Sequence, residues 1–283
     1  MTISMSIKTK YQFIRLSSEE MSASDSETNT LLKIFEQQMS QLYPLGQDTF
    51  RIDHGINYFA FVQRLGEVFY FVIHEATTTE TIVGTGCAIL RAYNGTNFWY
   101  LCDLKIDPQH RGQNLTLQLF IRMFLPLISK SSKGYLISMD PSSKQIIKIF
   151  DKIDSVVNLG IVPNPVLFIY SVTKSQMTQL EPYFKIAFGQ ISYLSLIGIK
   201  DLILSSTQEK LNLYHVQHGP FGTDRGTSLP NLPDSATVMF CLPKDSAFME
   251  ILNDYQIQTN VSATVISHGM DFFDWHWILT SDI

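Results

Sequence analysis

The run Tyr100-Leu-Cys-Asp-Leu-Lys-Ile-Asp-Pro-Gln-His-Arg-Gly-Gln-Asn114 holds the densest set of groups able to do chemistry. A strand-like stretch ends at Ile106, Pro108 interrupts it, and an amphipathic helix opens at Asn114. Such a loop gathers backbone N–H groups at the positive end of a helix, where a phosphate oxygen can accept from them. Gly112 lets the backbone approach a pyrophosphate with no Cβ in the way, and Arg111 or His110 could add charge-assisted hydrogen bonds. The chemistry predicted is anion binding. The bland alternative is a strand-to-helix turn capped by Asn114 with no ligand.

The elements around the loop must position it. Upstream, Tyr11 to Leu16 alternates like a strand, and Leu31, Phe35, Met39 and Leu42 mark the buried face of a helix from Glu27 to Tyr43, ended by Pro44. Val68–Ala76, Ile82–Tyr93 and Phe98–Ile106 then read as an antiparallel meander, with Asn94-Gly95 a strong turn dipeptide. Downstream, apolar residues at three- and four-residue steps predict a helix over 114–130, loosened near its end by Pro126. A strand at Tyr135–Met139 and a helix started by Pro141, Ser142 and Ser143 complete a parallel crossover unit. Val166–Val172 is the next strand, and Lys174–Gln179 reads as a linker.

The second half is expected to hold strands at Ile191–Leu204, Leu211–Val216, Val238–Leu242, Ala263–His268 and Trp275–Thr280, with a helix at Asp245–Tyr255. The Gly/Pro/Ser-rich stretch His218–Asp234 is the strongest loop or boundary signal. The division expected is 1–173 and 174–283. A net charge of −5 argues against a nucleic-acid backbone as main partner. Cys87, Cys102 and Cys241 are too few and too widely spaced for a disulfide framework or a Cys-x-x-Cys metal site, and read as reduced thiols. The absence of a signal-peptide or membrane-length apolar run predicts a soluble, cytoplasmic protein without a membrane partner.

The segment Gln109-His-Arg-Gly112-Gln-Asn114, led in by Asp103-Leu-Lys-Ile-Asp-Pro108, resembles the central signature of the GNAT superfamily of acyl-CoA-dependent N-acyltransferases. That signature, Gln/Arg-x-x-Gly-x-Gly/Ala, lies between the fourth strand and the following helix, and the resemblance covers roughly Tyr11 to Thr173. It implies a mixed central α/β sheet flanked by helices, with acetyl-CoA or another acyl-CoA as donor; the Val238–Thr280 pattern resembles the last strands and helix of such a unit, so the C-terminal α/β domain is either a degenerate copy or a generic accessory domain. The acceptor would be an amine, on a small molecule, a protein lysine or a protein N-terminus; no metal is implied.

By the same resemblance Gln109, His110, Arg111, Gly112, Gln113 and Asn114 would cradle the cofactor, and a backbone N–H among Leu104, Lys105 and Ile106 would polarise the thioester carbonyl. Asp103 is the implied base, with Tyr100 and Glu75 behind it; a strand-end carboxylate capping a neighbouring loop is the equal alternative for Asp103. Two positions depart from the pattern. Asn114 replaces the second glycine, although Asn tolerates unusual backbone angles. Ser143 and Phe150 stand where members carry an Asn and a proton-donating Tyr, and phenylalanine has no proton to give. A catalytically lapsed binding module is therefore the alternative function. Cys102 reads as a small hydrophobe rather than a nucleophile, His215, His218, His268 and His276 show no regular zinc spacing, and Trp275, His276 and Trp277 read as packing residues.

Overall fold

A computed structural model describes residues 10–39, 42–45, 48–76, 78–139, 148, 151, 154, 160, 162–222, 226–259 and 261–283. Its strands are β1 (Tyr11–Arg15), β2 (Tyr43–Leu45), β3 (Asp48–Asp53), β4 (Glu67–Glu75), β5 (Thr78–Tyr93), β6 (Thr96–Ile106), β7 (Gly134–Ser138), β8 (Val162–Thr173), β9 (Ser192–Ser195), β10 (Asp201–Leu204), β11 (Leu213–Gln217), β12 (Thr237–Pro243) and β13 (Val261–His268). The helices are α1 (Ser18–Ser22), α2 (Glu27–Gln38), α3 (Ala60–Gln63), α4 (Leu115–Leu127), α5 (Lys174–Phe188) and α6 (Phe248–Asp254).

The meander forms as its alternation dictates. β4 pairs antiparallel with β5 and β5 with β6, and Asn94 and Gly95 turn the second hairpin at φ of 47° and 74°. Two positive φ values give the turn whose twist matches the flanking strands. β1 covers the outer edge of β4, and β6 runs parallel to β7 after the α4 crossover.

Among the described residues ten strands make one sheet, in the order β1-β4-β5-β6-β7-β13-β8-β12-β11-β9. The order reads alike from its middle outward. Parallel β6 and β7 share three rungs, Trp99–Leu101 with Gly134–Leu136, and parallel β11 and β12 also share three, Leu213–His215 with Thr237–Met239. β13 lies antiparallel on β7 although it follows β12 in the chain, and β8 lies antiparallel on β12 although it follows β7. Each half thus lends its last strand to the other, and the two lent strands pair together. The sheet is built from two halves of like strand order.

The halves are unequal where it matters. Between β6 and β7 stands the helix α4, but the described part of the connection between β11 and β12 holds only short 3-10 turns at Gly219–Phe221 and Leu229–Asn231. A segment near Thr280 lies against β11 and β12: Thr280 Oγ1 donates to the Met239 carbonyl (3.1 Å), Cys241 Sγ to the Ile278 carbonyl (3.1 Å), and Gln217 Nε2 to Ser281 Oγ (2.9 Å). A separate small sheet, β10-β3-β2, carries β10 of the second half onto β3 of the first.

Several sequence expectations change. α2 stops at Gln38, and Pro44 lies in β2, where Tyr43 pairs with Phe50 and stacks on its ring at 5.5 Å; Leu42 is exposed. β5 begins at Thr78 rather than at Ile82. Lys174–Gln179 is not a linker but the start of α5: Thr173 Oγ1 accepts from the Gln176 N–H, and the Gln176 side chain accepts from the Thr173 N–H. That reciprocal capping box nucleates a helix at the predicted break. Ile191–Leu204 divides into β9 and β10. Trp275–Thr280 is not a strand, because Asp274 Oδ1 captures the His276 N–H (3.0 Å) and winds Trp275–Trp277 into a 3-10 turn. The helix expected from Pro141 lies largely outside the described residues.

Candidate functional site

The site begins with a defect in β6. The β5–β6 pairing slips between Thr85↔Lys105 and Cys87↔Cys102, a bulge centred on Asp103, which adopts φ +50°. A non-glycine residue in that region costs about 1–3 kcal/mol and persists only where its surroundings fix it. They do so here. Thr85 Oγ1 donates to the Asp103 carbonyl (2.8 Å), Tyr58 Oη donates to Oδ2 (2.9 Å), Tyr70 Oη donates to the same oxygen, and Lys105 Nζ pairs with Oδ1 (2.6 Å).

The bulge opens the sheet. The β6–β7 ladder ends at Leu101↔Leu136, and from Cys102 onward the two parallel strands share no rung. A cavity of about 1120 Å³ occupies this region, lined by Cys102–Ile106 on one strand and Leu136–Ser138 on the other. It reaches Arg111, Gly112, Asn114 and Leu115 at one end, and Glu36, His54, Lys200, Leu202 and His215 at the other.

The loop has the geometry an anion needs. Asp107 Oδ1 accepts the Gln109 N–H (2.8 Å) and tightens Pro108–His110 into a 3-10 turn. Gly112 lies at φ +80°, and a Cβ built on it would meet nothing within 4 Å, so its front is open. Asn114 adopts φ +55°, the left-handed conformation that asparagine tolerates, and its carbonyl accepts the Gln118 N–H (2.9 Å) as α4 begins. The first-turn N–H groups of α4 have no partner inside the helix and stand beside this opening.

Arg111 Nε reaches back toward the Ile106 carbonyl (3.4 Å). His110 lines the cavity and is held through Nδ1, hydrogen-bonded to Tyr11 Oη (3.1 Å) and 3.7 Å from Glu75. Glu75 pairs with His110 and Lys10 and is not itself part of the cavity lining. Leu104, Lys105 and Ile106 lie on the splayed stretch of β6, and Gln109 and Gln113 belong to the loop outside the lining. Ser143 and Phe150 fall outside the described residues.

Tyr100 is buried and stacked on Tyr135 at 5.0 Å; burial first, then Cys102, Tyr135 and Asp282, push its phenol well above the ordinary value. Asp103 feels opposing effects. Burial alone would raise its carboxyl, but Lys105 and His54 and the hydrogen bonds from Lys105 and Tyr70 hold it below the usual range. Burial would lower Lys105, yet Asp103, Tyr58 and Glu36 leave it well above ordinary lysine.

Because the folded value of Asp103 lies below the unfolded one, its stabilisation is fully present above about pH 4 and is lost as pH falls through the folded value. Asp103→Asn is expected to lower the urea midpoint at pH 7, and the gap from wild type should shrink as the pH drops toward about 2. A constant gap would contradict this.

Sequence reasoning missed three cavity groups. Glu36 and His54 are joined, His54 Nδ1 to Glu36 Oε1 and the His54 N–H to Oε2 (3.1 Å). Glu36 sits on the buried face of α2 with Leu32 and Phe35, a carboxylate on an apolar stripe, and that was the available signal. Lys200 comes from the second half, with Nζ bound to the Ile283 carbonyl and 4.2 Å from the Phe61 ring centre. Burial, then Lys105 and Arg64, bring its ammonium down to about 8.

Three histidines of the second half have protein partners. His215 Nδ1 meets Thr280 Oγ1 (3.0 Å), His218 stacks on Phe188 (4.4 Å), and His276 bridges Asp274 (2.8 Å) and Ser246 (3.1 Å). Trp275 and Trp277 pack against Phe273, and Trp277 also against Tyr93. Cys87, Cys102 and Cys241 are free thiols. Among the described residues no helix is long and apolar enough to cross a membrane.

No protein-family profile matches the chain. An uncharacterized protein, L340 of Acanthamoeba polyphaga mimivirus, is 32% identical over 235 residues, 80% of this chain and 68% of that protein. Among solved structures, a tandem GNAT protein from the clavulanic acid biosynthesis pathway superposes over 91% of this chain and 98% of its own, at 10% identity and a TM-score of 0.48. Glucosamine-6-phosphate N-acetyltransferase from Arabidopsis thaliana superposes over 50% and 89%, at 15% identity and a TM-score of 0.36. Within this chain, the Gln109–Asn114 signature stands between α4 and the fourth strand from the β1 edge, as the resemblance implies. The chain belongs to the same family as the mimivirus protein L340.

Proposed function

We propose that the protein is an acyl-CoA-dependent N-acyltransferase, using acetyl-CoA by default and acylating a primary amine on a small molecule, a protein lysine or a protein N-terminus. The observation that carries this reading is the opening between β6 and β7 at the Asp103 bulge, continuous with the glycine loop at the start of α4. The residues fit such a donor. Gly112 leaves room for a diphosphate, and α4 presents its first-turn N–H groups there. Beyond Leu101, the edge of β6 facing β7 can hydrogen-bond an extended amide-bearing arm as a neighbouring strand would. An acyl-CoA bound this way supplies an activated acyl carbonyl next to Leu104–Ile106, whose N–H groups are the proposed oxyanion donors.

Of the candidate bases, Asp103 best suits a positioning role, since two tyrosine hydroxyls and Lys105 hold its carboxylate ionised. Tyr100 supports the cleft floor, and Glu75 steadies His110. The proposed units are 1–173, which binds the donor, and 174–283, which closes the acceptor side through Lys200 and Leu202. A cytoplasmic setting, where acyl-CoA is made, completes the proposal.

Calorimetric titration with acetyl-CoA, beside CoA, ATP and NAD, tests the reading. Micromolar acetyl-CoA affinity with ATP and NAD at least tenfold weaker is expected. No acetyl-CoA binding would remove the transferase reading and leave a lapsed GNAT module.

A further inference from the structure

Beyond the donor site, the acceptor end of the cavity holds an imidazole paired with a carboxylate. Both Glu36 oxygens contact His54: Oε1 meets His54 Nδ1, with Lys105 Nζ 3.9 Å away, and Oε2 accepts the His54 backbone N–H (3.1 Å). Glu36 and His54 are 8% and 7% exposed, and both line the cavity. The ring is wedged against Tyr58 (4.7 Å) and Phe61 (5.9 Å). The next residue, Gly55, sits at φ +62° against the Gly198 carbonyl, which a Cβ would strike at 2.1 Å. These constraints fix both the ring and the chain that carries it.

We propose that His54 is the base that takes the proton from the acceptor, with Glu36 as its positioning partner; this rests on the acyltransferase reading above. A carboxylate accepting the Nδ1 proton fixes the tautomer in which Nε2 carries the lone pair. It also stabilises the imidazolium that forms on protonation. Nε2 accepts the amine proton as the nitrogen–carbon bond forms and the carbon–sulfur bond breaks, and that proton leaves with the departing thiol. Atoms and charges balance with no further reactant. The charged and titratable groups around the pair are Glu36 on α2, Asp103 and Lys105 on β6, and Tyr58 before α3.

The walls near His54 narrow the acceptor class. Met39, Tyr43, Phe50, Ile52, Phe61 and Leu202 line the cavity there. They suit a primary amine on an apolar or aromatic stem.

Two readouts test the pair. In the free protein, long-range ¹H–¹⁵N correlation spectra at pH 8 should show His54 protonated on Nδ1 and bare on Nε2, and Glu36→Gln should perturb that tautomer; an Nε2-protonated ring in wild type overturns the proposal. Thiol release from acetyl-CoA with phenethylamine is the second. His54→Gln should lower kcat roughly 10²–10⁴-fold while calorimetric acetyl-CoA affinity stays within threefold, and Glu36→Gln should show a smaller loss in the same direction. An unchanged kcat in His54→Gln overturns the base assignment alone. Wild-type release no faster than buffer, with acetyl-CoA bound, overturns the transferase reading and this assignment with it.

Discussion

Gly112→Glu is expected to weaken acetyl-CoA binding about a thousandfold, which corresponds to about 4 kcal/mol, while leaving the melting temperature within a few degrees. Two effects act together. Gly112 lies at φ +80°, a conformation disfavoured for any side chain with a Cβ. The new carboxylate would also point into space that is open in this structure, where a diphosphate is proposed to lie. Like charges so juxtaposed cost several kcal/mol. Gly112→Ala separates the two contributions: it keeps the backbone strain and omits the charge, so it should lose much less affinity. Calorimetry on wild type and both variants measures this directly. Equal losses in the two variants would mean that the loop conformation, not the anion, governs binding.

The second large effect concerns stability. Asp282 is 2% exposed and stands between two guanidinium groups, with Arg91 Nη1 at 2.9 Å from Oδ2 and Arg64 Nη2 at 3.3 Å from Oδ1. The Arg91 contact is close but poorly aligned as a hydrogen bond, so it acts mainly as an ion pair. Burial pulls Arg91 down, yet Tyr135 and Asp282 more than restore it, so its guanidinium stays charged. Removing Asp282 leaves that charge enclosed, facing, among the described residues, the Tyr135 hydroxyl (3.2 Å) and the Phe221 ring (4.2 Å). Breaking a buried pair from one side costs roughly 3–5 kcal/mol. For a chain of this size that is a melting-temperature drop on the order of 10 °C. Asp282→Ala should show it by circular dichroism at pH 7, and a drop under 2 °C would mean that solvent reaches Arg91. Because Arg91 lies on β5 and Asp282 beside β11, the same pair ties the two halves together.

The first half of the sheet was legible because its signals are local. Alternation gave the meander, Asn94-Gly95 gave its turn, and Pro108 with the following apolar periodicity gave the loop and α4. The bulge at Asp103 was not legible, since it exists only where β5 and β6 slip against each other, and nothing in Cys102-Asp103-Leu104 marks a slip. The exchange of β8 and β13 was hidden for the same reason: each pairs with strands far away in sequence, and their apolar residues suit any central position.

Other misses were errors of weight. Thr173 and Gln176 carried a helix-start signal that the polar composition of Lys174–Gln179 obscured. The aromatic alternation at Trp275–Trp277 suggested a strand, while the Asp274 side chain was already committed to a turn. Glu36 and His54 are 18 residues apart and meet through the packing of α2 on the end of β3, which no spacing rule connects.

Hydrogen–deuterium exchange of the full chain with and without saturating acetyl-CoA addresses the donor site most directly. Slowed exchange is expected in peptides spanning Asp103–Gln118, where the splayed edge of β6, the glycine loop and the start of α4 would hold the donor, with little change at Leu213–Gly222 in the second half. Protection confined to Leu213–Gly222, or none anywhere at saturation, would contradict it.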